Sequence, residues 1–354
     1  MNAIVKPESS IPHALSEDVA YQDAILQDVS RTFALTIPQL PERLRLVVGN
    51  AYLLCRIADT IEDATAIPIE EKVQFSQEFV RVVAGETSAE AFADGLAPRL
   101  TTGASDAERD LIANSPRAIR ITHSFSEAER AALTRCVRIM SEGMDEFQEG
   151  RFTDGLRDLP HLDAYCYHVA GVVGEMLTDL FCAYSPEVAA RRDEMQKLAV
   201  SFGQGLQMTN ILKDIWDDRK RGVCWLPQSI FNETGFDLTK LEHGPNDPAY
   251  REGIQRLVAV TLHHLENALE YTLLLPKSET GIRRFCLWAI GMAVLTIRKI
   301  HRHPGFTAGN QVKITRRTVY ATILVSNSAC QSNALLRLIF KACAMGLPKI
   351  HSKS

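Results

Sequence analysis

The sequence lacks most of the features that settle a function quickly. Its eight cysteines (55, 136, 166, 182, 224, 286, 330 and 343) form no C-x-x-C pair, and most stand among apolar neighbours. That spacing argues against zinc or disulfides and for reduced core thiols in a cytoplasmic protein. The opening MNAIVKPESSIPHALSED has no apolar h-region, so no signal peptide is expected. No uninterrupted apolar run reaches the ~18 residues of a membrane span. The nearest, 334–347, is broken by Arg337 and Lys341. A net charge of −4 gives no support for nucleic-acid binding. The signatures G-x-G-x-x-G, G-x-x-x-x-G-K, G-x-S-x-G and H-E-x-x-H are all missing. His263, His264, His301 and His303 read as surface or capping residues. Alternating Val/Ile/Thr runs bounded by turns are missing too, which leaves an all-α chain with prolines marking the connections.

What is present is a pair of acidic helical stripes. In GNAYLLCRIADTIEDA (49–64), Leu53, Leu54, Ile57, Ala58 and Ile61 recur at helical spacing. Tyr52, Arg56, Asp59 and Asp63 follow steps of four, three and four and line a second stripe of the same helix. Glu62 sits one position off that stripe, near enough to share a ligand. Two carboxylates ~5–6 Å apart repel by roughly 3 kcal/mol at an effective dielectric near 20. A cation belongs there, and hard oxygen donors without Cys or His select Mg²⁺, which keeps waters and is completed by phosphates. A lone motif of this kind also suits a charged helix end in water. A second copy changes that balance. In GQGLQMTNILKDIWDDRKR (203–221), Gln207, Asn210, Asp214 and Asp217 or Asp218 repeat the spacing, with Leu206, Ile211, Leu212 and Ile215 on the buried side. Two such helices suit a metal-bridged diphosphate held between them.

Along the chain, 1–17 is a loose lead-in. Helical patterning runs from Asp18 to Ile37 and contains Ser30-Arg31-Thr32-Phe33, whose Arg suits either a phosphate or a core carboxylate. Further helices are expected at about 69–84, 105–114 and 127–149, with Asp145, Glu146 and Glu149 as surface charges. Residues 161–183 read as a helix buried on most faces. Gly171 and Gly174 inside it each cost about 1 kcal/mol against Ala, which suggests close approach by a neighbouring helix or a ligand. Residues 187–218 carry the second acidic stripe. A polar loop runs to Pro248, helices follow at 249–275 and 279–302, and a last helix spans 316–344. In that helix Leu335, Leu336, Leu338, Ile339 and Phe340 stand beside Arg337 and Lys341, a pattern that suits core packing or peripheral membrane contact.

With these residues in place, the chain resembles the squalene and phytoene synthase family over nearly its full length. The matching stretches are SRTF (30–33), Tyr52 with RIADTIED (56–63), YCYHVAGVVGEM (165–176) and NILKDIWDDRKRGVCWLP (210–227). The resemblance implies a single all-α prenyl synthase domain over 18–347 with a central cavity between the two acidic helices, and a tail at 348–354. It implies head-to-head joining of two farnesyl diphosphate molecules through the cyclopropyl intermediate presqualene diphosphate. It assigns Asp59, Glu62, Asp63, Asp214, Asp217 and Asp218 to Mg²⁺ and diphosphate, with Asp59, Asp63, Asp214 and Asp218 in the catalytic set. Ser30, Arg31, Phe33, Tyr52, Arg56, Gln207 and Asn210 would contact substrate. Arg31, Arg56, Lys213, Lys313 and Arg316 would meet the diphosphate or the phosphates of NADPH. Tyr165 matches the family's catalytic tyrosine.

Within the family, GNQVKITRR (309–317) resembles the NADPH-binding segment of the reductive squalene synthase branch. One position departs from the pattern. A second basic residue often follows two after the lysine matching Lys313, and here Thr315 stands there, with Arg316 and Arg317 next. The implied chemistry is ionisation of one farnesyl diphosphate, attack by the second, proton loss and reduction to squalene. Tyr165, with an unperturbed pKa of ~10, needs neighbouring cations to accept a proton, or the released diphosphate does so. Each fifteen-carbon tail gains on the order of 10 kcal/mol from an apolar cavity. A monomer is expected, with peripheral membrane association at most. The rival readings are a synthase stopping at presqualene diphosphate, dehydrosqualene or phytoene; a terpene cyclase, opposed by the Tyr165 and 309–317 stretches; and a non-catalytic relative, which should have lost carboxylates that are intact here.

Overall fold

The computed structural model describes residues 15–30, 32–149 and 152–350. Helices make up its regular structure, and among the described residues the β-type pairing is one isolated bridge, Leu156 with Pro227. The chain divides into two compact units, Met1–Ser141 and Glu142–Ser354.

The first unit holds α1 (Ser16–Val29), α2 (Glu42–Asp63), α3 (Ile69–Ala84), α4 (Ala89–Leu96), α5 (Asp106–Ala113), α6 (Ser115–His123) and the start of α7 (Glu127–Glu149). Helix α2 is its axis, packed against α1, α3, α5 and α6. Leu53, Leu54, Ile57 and Ile61 are fully buried, each worth about 1.5–3 kcal/mol against exposure. Asn50, also fully buried, donates to Ala118 O at 2.9 Å and accepts from Thr122 Oγ1 at 2.7 Å, which fixes α2 on α6 without an unpaired amide. A capping box of Ser105 and Glu108 starts α5. Gly85, at φ 83°, ends α3 in the left-handed conformation that a Cβ disfavours.

The second unit continues with α8 (Leu159–Cys166), a π-helical turn (Tyr167–Gly171), α9 (Val172–Tyr184), α10 (Arg192–Lys220), α11 (Gln228–Thr234), α12 (Pro248–Leu274), α13 (Thr280–Arg302), α14 (Arg316–Ala329) and α15 (Asn333–Ala344). Helix α10 is central, against α9, α12 and α13. The glycines explain how close it lies. A Cβ on Gly174 would stand 2.0 Å from Ala199 O, and one on Gly203 would stand 2.0 Å from Ala170 O. Backbone meets backbone there, so the neighbour that Gly174 anticipates is α10. Helix α13 has the length and composition of a membrane span, with a mean hydropathy of 1.3, but 67% of that stretch is buried in the fold. Arg283 on α13 is fully buried. It donates to Cys330 O at 2.6 Å, Leu275 O at 2.7 Å, Thr272 O at 3.3 Å and Asn333 Oδ1 at 2.7 Å. One guanidinium thus pins the α14–α15 turn and the end of α12 onto α13.

Four expectations change. The helix predicted over 18–37 stops at Val29, because Ser30 is extended (φ −140°, ψ 136°) and starts the next turn, Phe33–Thr36. Ser115–His123 is helical, with Pro116 in the first turn, where its missing N–H costs nothing. The polar stretch before Pro248 contains α11. The last helix is two, broken at 330–332, where Ser332 caps α15 by accepting from Leu335 N at 3.3 Å. Residues 145, 146 and 149 lie in helical backbone, but their side chains fall outside the described set.

Candidate functional site

In the first unit, the polar stripe of α2 stands as its spacing requires. Tyr52, Arg56, Asp59 and Glu62 are half-buried, and Asp63 is exposed at the helix end. Ser30 Oγ accepts from Phe33 N at 3.0 Å, which turns the chain back toward α2. Tyr52 Oη donates to Val29 O at 3.0 Å, capping a carbonyl that the end of α1 leaves without a helical partner. The rings of Phe33 and Tyr52 stand 5.3 Å apart. Arg56 lies over the Tyr52 ring and donates to its hydroxyl at 3.1 Å. Ser30, Phe33, Tyr52 and Arg56 are therefore brought together beside Asp59; Arg31 lies outside the described residues.

Arg56 also faces two carboxylates, Asp59 at 3.7 Å and Glu108 at 3.8 Å. Burial works to lower its pKa, yet Asp59, Tyr52 and Glu108 hold it above the ordinary value. The Asp59 carboxyl is pushed up to about 6, chiefly by burial, with Arg56 opposing and Asp63 and Glu108 adding to the rise. Lys72 on α3 donates to Glu62 O at 2.5 Å; burial lowers its pKa, while Glu62 and Asp63 oppose that. Glu108 and Lys72 escaped the sequence reading. The S-x-x-E signature could have placed Glu108: its Oε2 serves the cap of α5 while Oε1 faces Arg56.

In the second unit, Asn210 and Asp217 are exposed on α10, Gln207, Lys213 and Asp214 are half-buried, and Asp218 is buried; Leu206 is only half-buried. Each carboxylate has a basic partner. Lys213 Nζ is 3.0 Å from Asp214 and 3.1 Å from Asn210 Oδ1, Lys220 is 3.0 Å from Asp217, and Arg221 is 2.5 Å from Asp218. The segment 309–317 is seated on this stripe. A Cβ on buried Gly309 would lie 3.1 Å from Lys213 O and 3.6 Å from carboxylate oxygens of Asp214 and Asp217. The approach is held by Trp216 Nε1 donating to Phe306 O at 2.7 Å and by Lys299 Nζ donating to Lys313 O at 2.6 Å. Thr315, the departure from pattern, caps α14 by accepting from Thr318 N at 3.2 Å. Arg316 and Arg317 then open that helix, where a cation is unfavourable by about 0.3–1 kcal/mol unless an anion meets it.

Tyr165 is 6% exposed. Its ring stacks on Trp225 at 3.9 Å and 11°, and Phe147 meets its edge at 5.2 Å. The π-turn begins two residues later, a distortion frequent at functional sites. Neither aromatic partner had a role in the sequence reading, because stacking across α7, α8 and the 221–227 connection has no local signature. The expectation for His264 is corrected. It is half-buried, with Nδ1 2.7 Å from Ser201 Oγ, which also accepts from Asn267 at 3.0 Å. Burial, with His263, pushes its pKa down to about 4. His301 likewise is partnered, by Gln255.

The donors fit the groups expected of them in kind. All the acidic candidates are hard oxygens. Arg56 Nε is a buried donor without a hydrogen-bond partner among the described residues, as suits a guanidinium beside an anion site. Among the described residues no three acidic or His/Cys side chains converge as a closed metal cage. The exposed pair Lys220–Asp217 is worth ~0–1 kcal/mol, so that lysine can move from carboxylate to phosphate at little cost.

A model of the squalene/phytoene synthase family matches residues 26–318. Squalene synthase 1 of Arabidopsis thaliana is 30% identical over 302 residues, covering 83% of this chain and 68% of that protein. Squalene synthase ERG9 of Gibberella zeae is 27% identical over 292 residues, covering 81% of this chain and 59% of that longer protein. In fold, a ligand complex of TcSQS matches with a TM-score of 0.76 at 23% identity, over 96% of this chain and 94% of that one. A dehydrosqualene synthase in complex with a ligand matches with a TM-score of 0.66 at 19% identity, over 90% and 98%.

Proposed function

The chain belongs to the squalene/phytoene synthase family, and on that premise we propose that it is a transferase joining two farnesyl diphosphates head to head and reducing the presqualene diphosphate to squalene. The observation that carries the reductive reading is Gly309 against Lys213, Asp214 and Asp217. It joins the 309–317 segment to an acidic stripe, so diphosphate and dinucleotide phosphates share one neighbourhood. Lys313 follows one turn after Gly309, its N–H donating to Gly309 O at 3.1 Å.

In this reading Asp59, Glu62 and Asp63 of the first unit would bind Mg²⁺, and so would Asp214, Asp217 and Asp218 of the second. Bound Mg²⁺ supplies charge neutralisation of the leaving diphosphate, and bound NADPH supplies the hydride of the last step. Arg56 turns its unpartnered Nε and its Nη groups to a diphosphate oxygen, with Tyr52 fixing its plane. Tyr52 and Phe33 cover the first carbons of the prenyl chain. Tyr165, held flat on Trp225, stands to accept the proton lost at cyclopropane closure. Arg316 and Arg317 at the start of α14 meet dinucleotide phosphate in place of the missing basic residue at 315.

A non-reductive synthase is the second reading, favoured by the engagement of Thr315 as a helix cap. The test is incubation of the purified protein with farnesyl diphosphate and Mg²⁺, with and without NADPH, and mass analysis of the extracted lipid. Squalene that requires NADPH supports the first reading. Presqualene diphosphate or a dehydro product, unchanged by NADPH, replaces it with the second.

A further inference from the structure

Arg56, assigned above to the diphosphate, has three polar partners of unequal permanence. Its Nη2 donates to Tyr52 Oη at 3.1 Å, and Tyr52 is itself tied to Val29 O. Asp59 stands 3.7 Å away on the same helix, and the guanidinium is its polar partner among the described residues. Glu108 stands 3.8 Å away and comes from α5. Its carboxylate is not free to swing. Oε2 accepts from Ser105 N at 2.8 Å and from Ser105 Oγ at 2.9 Å, and Ser105 Oγ accepts in turn from Glu108 N at 3.3 Å. That reciprocal cap leaves Oε1 turned to Arg56. The Glu108 side chain is only 24% exposed, so water and salt screen the pair less than they would on the open surface.

By charge alone Glu108 has the wrong sign for this place, because a carboxylate beside an anion site repels the anion. What it supplies is aim. We propose that Glu108 is a positioning residue of the diphosphate site: with Tyr52 it holds the Arg56 guanidinium when Asp59 turns from it to a cation. The buried Nε, which has no hydrogen-bond partner among the described residues, then stays directed at the phosphate oxygens. Without a fixed anion on a second helix, the long arginine side chain would follow Asp59 or scatter among rotamers. The inference rests on the reading of Arg56 and Asp59 given above and goes beyond it in naming what keeps the arginine in place.

The test is calorimetric titration of inorganic pyrophosphate, in Mg²⁺ buffer, into the full-length protein and into E108Q, R56M, R56M/E108Q and S105A. Gln has one acceptor oxygen where Glu has two. Its carbonyl keeps the capping box and its NH₂ turns to Arg56, so E108Q releases the arginine and leaves the cap. Simple repulsion predicts that losing a carboxylate tightens pyrophosphate binding. A released Arg56 predicts the opposite sign, weaker binding by about tenfold. In the R56M background E108Q is expected to weaken nothing further. S105A loses the hydroxyl but keeps the backbone N–H on Oε2, so the urea midpoint should fall while pyrophosphate affinity stays within about twofold of the parent. An E108Q protein that binds as tightly as the parent or tighter, while R56M binds weakly, overturns this inference alone. So does an equal loss with and without Arg56, or a loss in S105A as large as in E108Q, since the effect then belongs to the cap and not to the arginine. R56M binding like the parent, or a parent without measurable affinity, overturns the diphosphate role of Arg56 and this inference with it.

Discussion

Replacing Asp59 with Asn should make the metal-free protein more stable while disabling it. Folding raises this carboxyl from 3.8 to about 6, chiefly through burial, with Arg56 opposing and Asp63 and Glu108 assisting. At ~1.36 kcal/mol per pH unit, keeping it ionised at pH 8 costs about 3 kcal/mol. The side chain keeps 34% of its surface in water, and screening there brings the figure to about 1–2 kcal/mol. The sign follows from which state ionises first. The unfolded chain loses its proton near 3.8 and the folded one near 6, so the associated stability is whole below the first value and gone above the second. Asn carries no charge at any pH. D59N should therefore exceed the parent by about 1–2 kcal/mol in urea unfolding with chelator at about pH 8, and lose that advantage near pH 4. Adding Mg²⁺ with inorganic pyrophosphate should stabilise the parent more than the variant and close or reverse the gap. A D59N protein no more stable than the parent at pH 8 would refute the reasoning. It would mean that Arg56 already compensates the buried charge.

Three further outcomes are expected. Arg283→Met should destabilise the protein by about 3 kcal/mol or more, since it strands buried carbonyls of Thr272, Leu275 and Cys330; an unchanged urea midpoint would refute the staple. Gly309→Val should lower turnover by at least about tenfold by pushing the 309–317 segment off Asp214 and Asp217; full activity would show that the contact is incidental. Because folding depresses His264 from 6.5 to about 4, the stability its neutral form supplies is whole above pH 6.5 and drains as pH falls toward 4. His264→Gln should flatten that loss, of on the order of 3 kcal/mol at most, in unfolding followed across this range.

The sequence by itself determined the elements whose cause is local. Periodicity in 49–64 places Leu53, Leu54, Ile57 and Ile61 inward and the Arg56–Asp59–Asp63 stripe outward, because 3.6 residues per turn leaves no other arrangement. The same rule drew α3, α7, α12 and α13 almost to the residue. What it missed was set by partners distant along the chain. Glu108 against Arg56, Lys72 against Glu62, Trp225 on Tyr165 and Gly309 on Asp214 join residues from 10 to 95 positions apart. His264 was misread for the same reason: its polarity is satisfied by Ser201, 63 residues earlier. Helix patterning says which face is apolar. Whether a polar group on the other face meets water, a cation or a buried hydroxyl is decided only when the helices pack.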